Sequence, residues 1–178
     1  MVLSRALSPF FYDPLNGIML LEQRIQQGKP FRSEHERAAV NVLYSATWIL
    51  EHMKDFLVAY GISQQQYNVL RILRGQYPES ISTCDIRDRM IDRAPDASRI
   101  VDRLIAKGFA QKSPSQKDKR RIDVTITSAG LDLLLSIENA FDRPDNVLHE
   151  LSHEDCVQLN RLLDKMKMPS SAYSAPSE

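Results

Sequence analysis

The chain has 178 residues, 43% of them hydrophobic, and its 23 basic and 23 acidic side chains give a formal net charge of zero. This size and apolar content suit one domain with appended helices and exclude a disordered or fibrous chain. Because two cysteines form no disulfide framework and no apolar run has the length of a membrane span, we expect a soluble, cytoplasmic protein without a membrane partner.

The zero net charge conceals a strong asymmetry along the chain. Residues 87–121 carry eleven basic and five acidic side chains, a net charge of +6, so the remaining residues carry −6. A local positive field of this size attracts polyanions such as nucleic acids. On charge alone, a solvated helix face with paired surface ions explains the pattern equally well.

The first part of the chain predicts an arm followed by a long helix. Prolines and glycines interrupt residues 1–33, which are expected to hold one short helix. From about residue 34 to 59, apolar side chains recur at steps of three and four, which places them on one stripe of a helix ended by Gly61. Ser63 is expected to cap the next helix, which stops before Pro78.

The middle of the chain predicts two short helices joined by a tight turn. Ser82 can cap the first helix, and Pro95 stands where the first residue of the second is expected. The second helix, over about residues 95–107, has a strictly apolar face and closes at Gly108, which suits a left-handed C-cap. The pair is therefore a helix-turn-helix candidate.

The stretch that follows predicts a two-stranded hairpin. One strand is expected on each side of a polar stretch that contains Pro114. The second strand follows a run of five charged residues at 117–121. Apolar and polar residues then alternate, so we expect Ile122, Val124 and Ile126 to form the buried side of the second strand.

Two helices are predicted to complete the chain. Thr127 is expected to cap the first, whose pattern breaks at Pro144 because proline lacks a backbone donor. Ser152, with Asp155 three residues later, is expected to cap the last helix, which runs to about residue 168. The small, polar tail beyond it is expected to be frayed.

The polar face of the second helix of the helix-turn-helix pair carries the candidate DNA-reading side chains. Asp96, Arg99 and Arg103 are spaced so that they project from one exposed ridge. In the major groove of B-DNA, arginine can reach guanine O6 and N7, and aspartate can accept from cytosine N4. Asp96 should therefore read sequence or damp non-specific binding. The alternative interpretation is a surface ridge of ion pairs.

A helix-turn-helix followed by a ribbon with a cationic tip is a winged helix, and at this point the chain resembles the MarR family of bacterial transcriptional regulators. Four stretches carry the resemblance: GISQQQYNVLRIL, ASRIVDRLIAKGFAQK, DKRRIDVTITSAG and ELSHEDCVQLNRLLDKM. They resemble, in that order, the helix before the DNA-reading pair, the recognition helix, the wing and the final dimer helix. The implied fold is mainly α with a small β-hairpin wing, a winged helix-turn-helix with long N- and C-terminal dimerisation helices.

The resemblance implies a four-part chain that binds double-stranded DNA as a homodimer. The parts are an arm and long dimerisation helix (1–62), a DNA-binding lobe (63–127), C-terminal dimerisation helices (128–168) and a flexible tail (169–178). Two recognition helices would enter successive major grooves of a palindromic operator, with half-sites ~10 base pairs apart. Members of this family are most often repressors, and we expect a small aromatic or phenolic effector to release the DNA.

The resemblance also assigns roles to individual residues. Arg120 is expected in the minor groove, held by Asp118, while Lys117, Lys119 and Arg121 attract phosphates. The recognition helix is expected to contact DNA through Asp96, Ala97, Ser98, Arg99 and Arg103, and Ser82 is expected to donate to a phosphate. Four aromatic residues either pack the core and dimer interface or line an effector pocket: Tyr44, Trp48, His52 and Tyr67.

Two alternative functions stay open on the sequence. One is a constitutive or architectural DNA-binding protein without a ligand. The other is a zinc metalloprotease, because residues 149–153 spell the pattern H-E-x-x-H. That chemistry needs both imidazoles on one unbroken helix, whereas Ser152 is an expected N-cap, so we predict a protein that is not an enzyme and has no cofactor or metal. Cys84 and Cys156 are expected to be buried or half-buried thiols.

Overall fold

The computed structural model describes residues 19–92, 96–114, 122–141 and 150–166. In these ranges the chain is mainly helical with one small sheet, as predicted. The elements are α1 (Leu21–Arg24), α2 (Glu34–Val58), α3 (Gln64–Gln76), β1 (Ile81–Ser82), α4 (Thr83–Arg89), α5 (Ala97–Ala106), β2 (Ala110–Pro114), β3 (Ile122–Ile126), α6 (Ser128–Phe141) and α7 (His153–Met166). They fall into two compact units, residues 1–55 and 56–178.

The first unit contains the predicted short helix and most of the predicted long one. Glu22 of α1 is buried, and its Oε1 accepts a hydrogen bond from Arg37 Nε of α2 at 2.6 Å. Burial acts to raise the pKa of Glu22, but the hydrogen bond and charge of Arg37 hold that pKa below its ordinary value. This ion pair joins α1 to the first turns of α2.

The apolar stripe of α2 is largely exposed in the single chain. Leu57 is buried, whereas Leu43 is 69% exposed and Leu50 is also exposed. The helix ends as predicted, with Gly61 in the left-handed region at φ +66°. An amphipathic helix with an exposed apolar face is typical of one that packs against something outside its own chain.

The second unit has the core that its periodicity predicts. The largest fully buried side chains of this unit come from α3 to α6, β3 and the end of α2: Leu57, Val69, Leu70, Leu73, Ile86, Val101, Leu104, Val124, Leu134 and Ile137. Ser63 caps α3, since its Oγ accepts from Gln66 N at 3.2 Å while Gln66 Oε1 accepts from Ser63 N at 3.0 Å. The predicted cap is therefore confirmed as a full capping box.

The predicted antiparallel pair is confirmed as β2 and β3, and a third strand, β1, extends the sheet to the order β1-β3-β2. The additional strand is two residues long, and its Ile81 lies opposite Val124 of β3. A strand of two residues is too short to show an alternating pattern, so the sequence does not reveal it.

The second strand of the hairpin is buried over only part of its length. Val124 and Ile126 are buried as predicted, but Ile122 is 51% exposed. Ile122 lies opposite Pro114, at the end of β2 and β3 farthest from the pair Ala110 and Ile126. The alternation gives the correct face, but it does not show where the buried core beneath that face ends.

Helix α6 begins against the base of the hairpin. Thr127 Oγ1 accepts from Gly130 N at 3.2 Å and donates to Gly108 O at 2.7 Å, which confirms the predicted cap. A Cβ at position 130 would lie 2.3 Å from the carbonyl oxygen of Phe109 and 2.7 Å from Cγ1 of Ile126. Close backbone approach therefore requires glycine here.

We expect Gly130→Ala to lower the free energy of unfolding by about 1–3 kcal/mol, because the backbone carbonyl of Phe109 must move to admit a methyl group. Gly75, in α3, has no atom within 4 Å of such a Cβ. Gly75→Ala should therefore raise the free energy of unfolding by about 0.5–1 kcal/mol through helix propensity. Urea titration measures both variants, and similar small effects at the two positions would contradict the close approach.

The last helix confirms the predicted start at Ser152. Ser152 Oγ accepts from Asp155 N at 3.1 Å, and Asp155 Oδ2 accepts from Ser152 N at 3.1 Å. These hydrogen bonds lower the pKa of Asp155. No residue of α7 is buried, and the predicted break at Pro144 lies outside the described residues. Among the helices described, none combines the length and apolar character that a bilayer crossing needs.

Candidate nucleic-acid interface

Helix α5 has two sharply different faces. Its inner face is buried against α3, α4 and β2 through Ala97, Ile100, Val101 and Leu104. Its outer face is exposed and consists of Ser98, Arg99, Asp102, Arg103 and Ala106. The neighbouring elements therefore hold a polar helical ridge toward solvent, as the helix-turn-helix interpretation predicts.

Five charged side chains of α5 and its neighbours form what we call the α5 charged surface: Asp96, Arg99, Asp102, Arg103 and Lys112. Arg99 Nε lies 2.9 Å from Asp96 Oδ2, and Lys112 Nζ of β2 lies 2.5 Å from Asp102 Oδ1. Arg103 is exposed, and none of the described residues gives its guanidinium a hydrogen bond or ion pair. Its donors are available to a ligand.

Asp96 and Ala97, two of the predicted DNA contacts, both have roles in the fold of α5. Asp96 is the N-cap of α5, and its Oδ1 accepts from Arg99 N at 3.1 Å. The ion-pair interpretation of the ridge is confirmed for Asp96 and Arg99. Ala97 is 4% exposed, so its side chain belongs to the inner face of α5, and the predicted DNA contact at this position stays a prediction.

Ser82 caps α4 as predicted, and that position is at odds with its second predicted role. It is buried, its Oγ accepts from Asp85 N at 3.2 Å, and its hydroxyl donates to Asp85 Oδ2 at 2.6 Å. A buried hydroxyl whose proton is already bonded to a carboxylate is a poor donor to a phosphate. The cap therefore does not favour the predicted phosphate contact of Ser82, which stays a prediction.

The base of the wing is described, whereas its tip is not. Strands β2 and β3 pair in continuous register from Ala110 and Ile126 to Pro114 and Ile122. The predicted contacts of the tip lie outside the described residues: Lys117, Asp118, Lys119, Arg120 and Arg121. Pro95 also lies outside them.

Two contacts in this region had no signal in the sequence. Lys107 donates to the carbonyl of Gly61 and to Gln66 Oε1, so it joins the end of α5 to the start of α3. The ion pair of Asp102 and Lys112 joins α5 to β2. In both cases the partners come from different elements, so helical or strand spacing alone does not place them together.

The predicted effector-site residues are divided between the two units. In the first unit, Tyr44 is half-buried, and the rings of Trp48 and His52 are 4.2 Å apart between centroids. In the second unit, Tyr67 is buried, with the guanidinium of Arg71 5.9 Å from its ring centroid. The effector pocket stays a prediction.

The protease interpretation loses its structural premise. Helix α7 begins at His153 because Ser152 caps it, so the predicted interruption of the H-E-x-x-H pattern is confirmed, while His149 lies outside the described residues. Within the described ranges, no group of three or more histidine, cysteine and acidic residues is placed to hold a metal ion. Cys84 is exposed, contrary to prediction, and Cys156 is half-buried.

Sequence comparisons converge on one family. The sequence model of the MarR family matches residues 62–122, from the residue before the N-cap of α3 to the first residue of β3. The HTH-type transcriptional regulator PapX of Escherichia coli is 30% identical over 123 residues, which cover 66% of this chain and 74% of PapX. The transcriptional repressor MprA of Escherichia coli strain K12 is 26% identical over 103 residues, covering 58% of this chain and 57% of MprA.

The fold is shared with solved structures of the same family. A mutant MarR from Escherichia coli, in complex with operator DNA, superposes with a TM-score of 0.65 over 78% of this chain and 99% of that one, at 19% sequence identity. The shared fold, the matched helix-turn-helix region and the identity to PapX agree. The chain belongs to the MarR family of transcriptional regulators.

Proposed function

We propose that this protein reads a palindromic DNA operator as a homodimer and represses transcription. The observation that carries the proposal is the outer face of α5, where Arg103 is exposed without a described partner on a helix whose other face is locked in the core. The name of MprA as a repressor supports the proposed sign of regulation.

The dimensions of α5 suit insertion into the major groove. An α-helix with its side chains is about 10–12 Å across, which matches the width of about 12 Å of the major groove of B-DNA, and the ten residues of α5 extend about 15 Å along it. In the proposed complex, Arg103 reaches guanine O6 and N7. Ser98 and Arg99, in the first turn of the helix, lie near the sugar-phosphate backbone of the DNA. Arg120, held by Asp118, enters the minor groove.

The proposed dimer is supported by apolar side chains that the single chain leaves exposed. They lie on three helices: Leu43 and Leu50 on α2, Leu135 on α6, and Leu162 and Met166 on α7. A second copy is the occupant we propose, because a two-fold axis would pair both recognition helices with a palindrome. Half-sites would then lie ~10 base pairs apart.

The proposed effector is a small aromatic or phenolic compound that lowers DNA affinity. Trp48 supports this proposal, since it is partly exposed and its ring contacts His52. An effector can shift the equilibrium toward the DNA-free form only by binding that form more tightly than the DNA-bound form. A thermal-shift screen of phenolic acids, followed by DNA release assays, tests it; full DNA binding in the presence of every compound that raises the melting temperature would favour constitutive binding.

Selection from a random duplex library tests the proposed function. After repeated rounds of binding at physiological salt, a regulator enriches one palindromic motif, and its affinity for that motif exceeds its affinity for random duplex by at least about a thousandfold. An architectural protein enriches no motif. That second outcome would replace the operator-reading proposal.

A further inference from the structure

The α5 charged surface is close to neutral, although it lies within the basic stretch of the sequence. Its arginines and lysine contribute three positive charges, and its two aspartates contribute two negative charges. The aspartates differ in what they do for the fold. Asp96 caps α5, whereas Asp102 lies inside the helix and caps nothing.

The partner of Asp102 is Lys112, the first basic residue of β2, which lies opposite Val124 on the face of the sheet that packs against α5. The carboxylate of Asp102 is 59% exposed, and its Oδ1 lies 2.5 Å from Lys112 Nζ. Exposed ion pairs contribute little to folding stability, and aspartate is a weak helix former. Folding therefore gives no strong reason for a carboxylate at this position, and on a surface that meets DNA it opposes phosphate attraction.

Lys112 stands where α5 meets the wing, between the two elements proposed to enter DNA grooves. A lysine in that place can neutralise a phosphate of any sequence, because phosphate contacts carry no base information. The ion pair with Asp102 occupies the Lys112 ammonium, so it is less available to bind a phosphate. In the complex with the operator, by contrast, the carboxylate of Asp102 can face base edges, because Asp102 lies on the same exposed ridge as Arg103.

We infer that Asp102 is a specificity-determining residue that suppresses non-specific DNA binding by withholding Lys112 from phosphates. This inference rests on the proposed function. It predicts that removing the carboxylate strengthens binding to random duplex, steepens its salt dependence and lowers the ratio of operator to random affinity. A merely structural ion pair would leave the salt dependence unchanged.

The test compares Asp102→Asn with wild type on a labelled random-sequence duplex, by fluorescence anisotropy across a range of salt concentrations. For each protomer of the proposed dimer we expect binding about two- to fivefold tighter, matching the strength of an exposed ion pair, and a log–log salt slope steeper by about one, so the dimer should show about four- to 25-fold tighter binding and a slope steeper by about two. Asp132→Asn, the same change at an exposed site on α6, is the charge control and should leave the slope unchanged.

A double-mutant cycle with Lys112→Met identifies the route of the effect. In the Lys112→Met background, Asp102→Asn should leave the slope unchanged and keep only the small gain in affinity that comes from removing the carboxylate's own repulsion, because no lysine remains to be released. An unchanged slope in Asp102→Asn, an equal change in Asp132→Asn, or a full effect without Lys112 would each overturn the inference. Wild type that binds no duplex at any salt concentration would instead overturn the proposed function, so the two failures are distinguishable.

Discussion

Leu162→Glu is expected to convert the protein from a dimer to a monomer. Leu162 lies on α7 and is 65% exposed in the single chain. If a second copy covers Leu162, burial of this side chain stabilises the dimer by about 1.5–3 kcal/mol. A two-fold dimer buries two copies of Leu162, one from each protomer. The dimer should therefore weaken by about 3–6 kcal/mol, a rise in the dissociation constant of at least about a hundredfold.

Arg161→Glu is the matched control for the dimer. Arg161 neighbours Leu162, but helical spacing places it on the opposite, polar side of α7, where it is exposed. Sedimentation equilibrium measures both variants, with circular dichroism to show that each is folded. A dimer constant for Leu162→Glu that equals that of Arg161→Glu would remove α7 from the proposed interface.

Arg103→Ala is expected to weaken binding to the selected operator by about 1–3 kcal/mol for each half-site, hence by about 2–6 kcal/mol for the dimer. The reason is the loss of a bidentate contact to guanine. Competition with single-base variants of the operator should show relaxed preference at one symmetric pair of positions and unchanged preference elsewhere.

Two further variants separate base reading from charge. Arg103→Lys keeps the charge but loses the fork of donors, so it should retain affinity for random duplex while losing most of the preference for the operator. Arg32→Ala removes an exposed arginine from the first unit and should leave operator binding unchanged. If Arg103→Lys binds the operator as wild type does, Arg103 contacts phosphate rather than a base.

The helix starts could be predicted because helix caps are local. Ser63, Ser82 and Ser152 each bond to a backbone amide three residues later, so the signal lies within one turn of the sequence. The periodicity of α5 likewise placed Arg99 and Arg103 on its outer face. The sequence therefore identified the ridge that we propose meets DNA.

The remaining features depend on contacts between distant segments. Strand β1 exists because Ile81 pairs with Val124, 43 residues later, and its two residues carry no pattern of their own. Ile122 has the correct parity for burial but lies at the far end of the sheet. The link between Asp102 and Lys112 joins a helix to a strand, so neither element's period predicts it.

Hydroxyl-radical footprinting of the wild-type protein on the selected duplex tests the central claim most directly, because it maps where two recognition helices sit on one operator. We expect two symmetric protected blocks whose centres lie ~10 base pairs apart, with protection lost together as the dimer dissociates. A single protected block, or uniform protection that also covers unrelated duplexes, would contradict it.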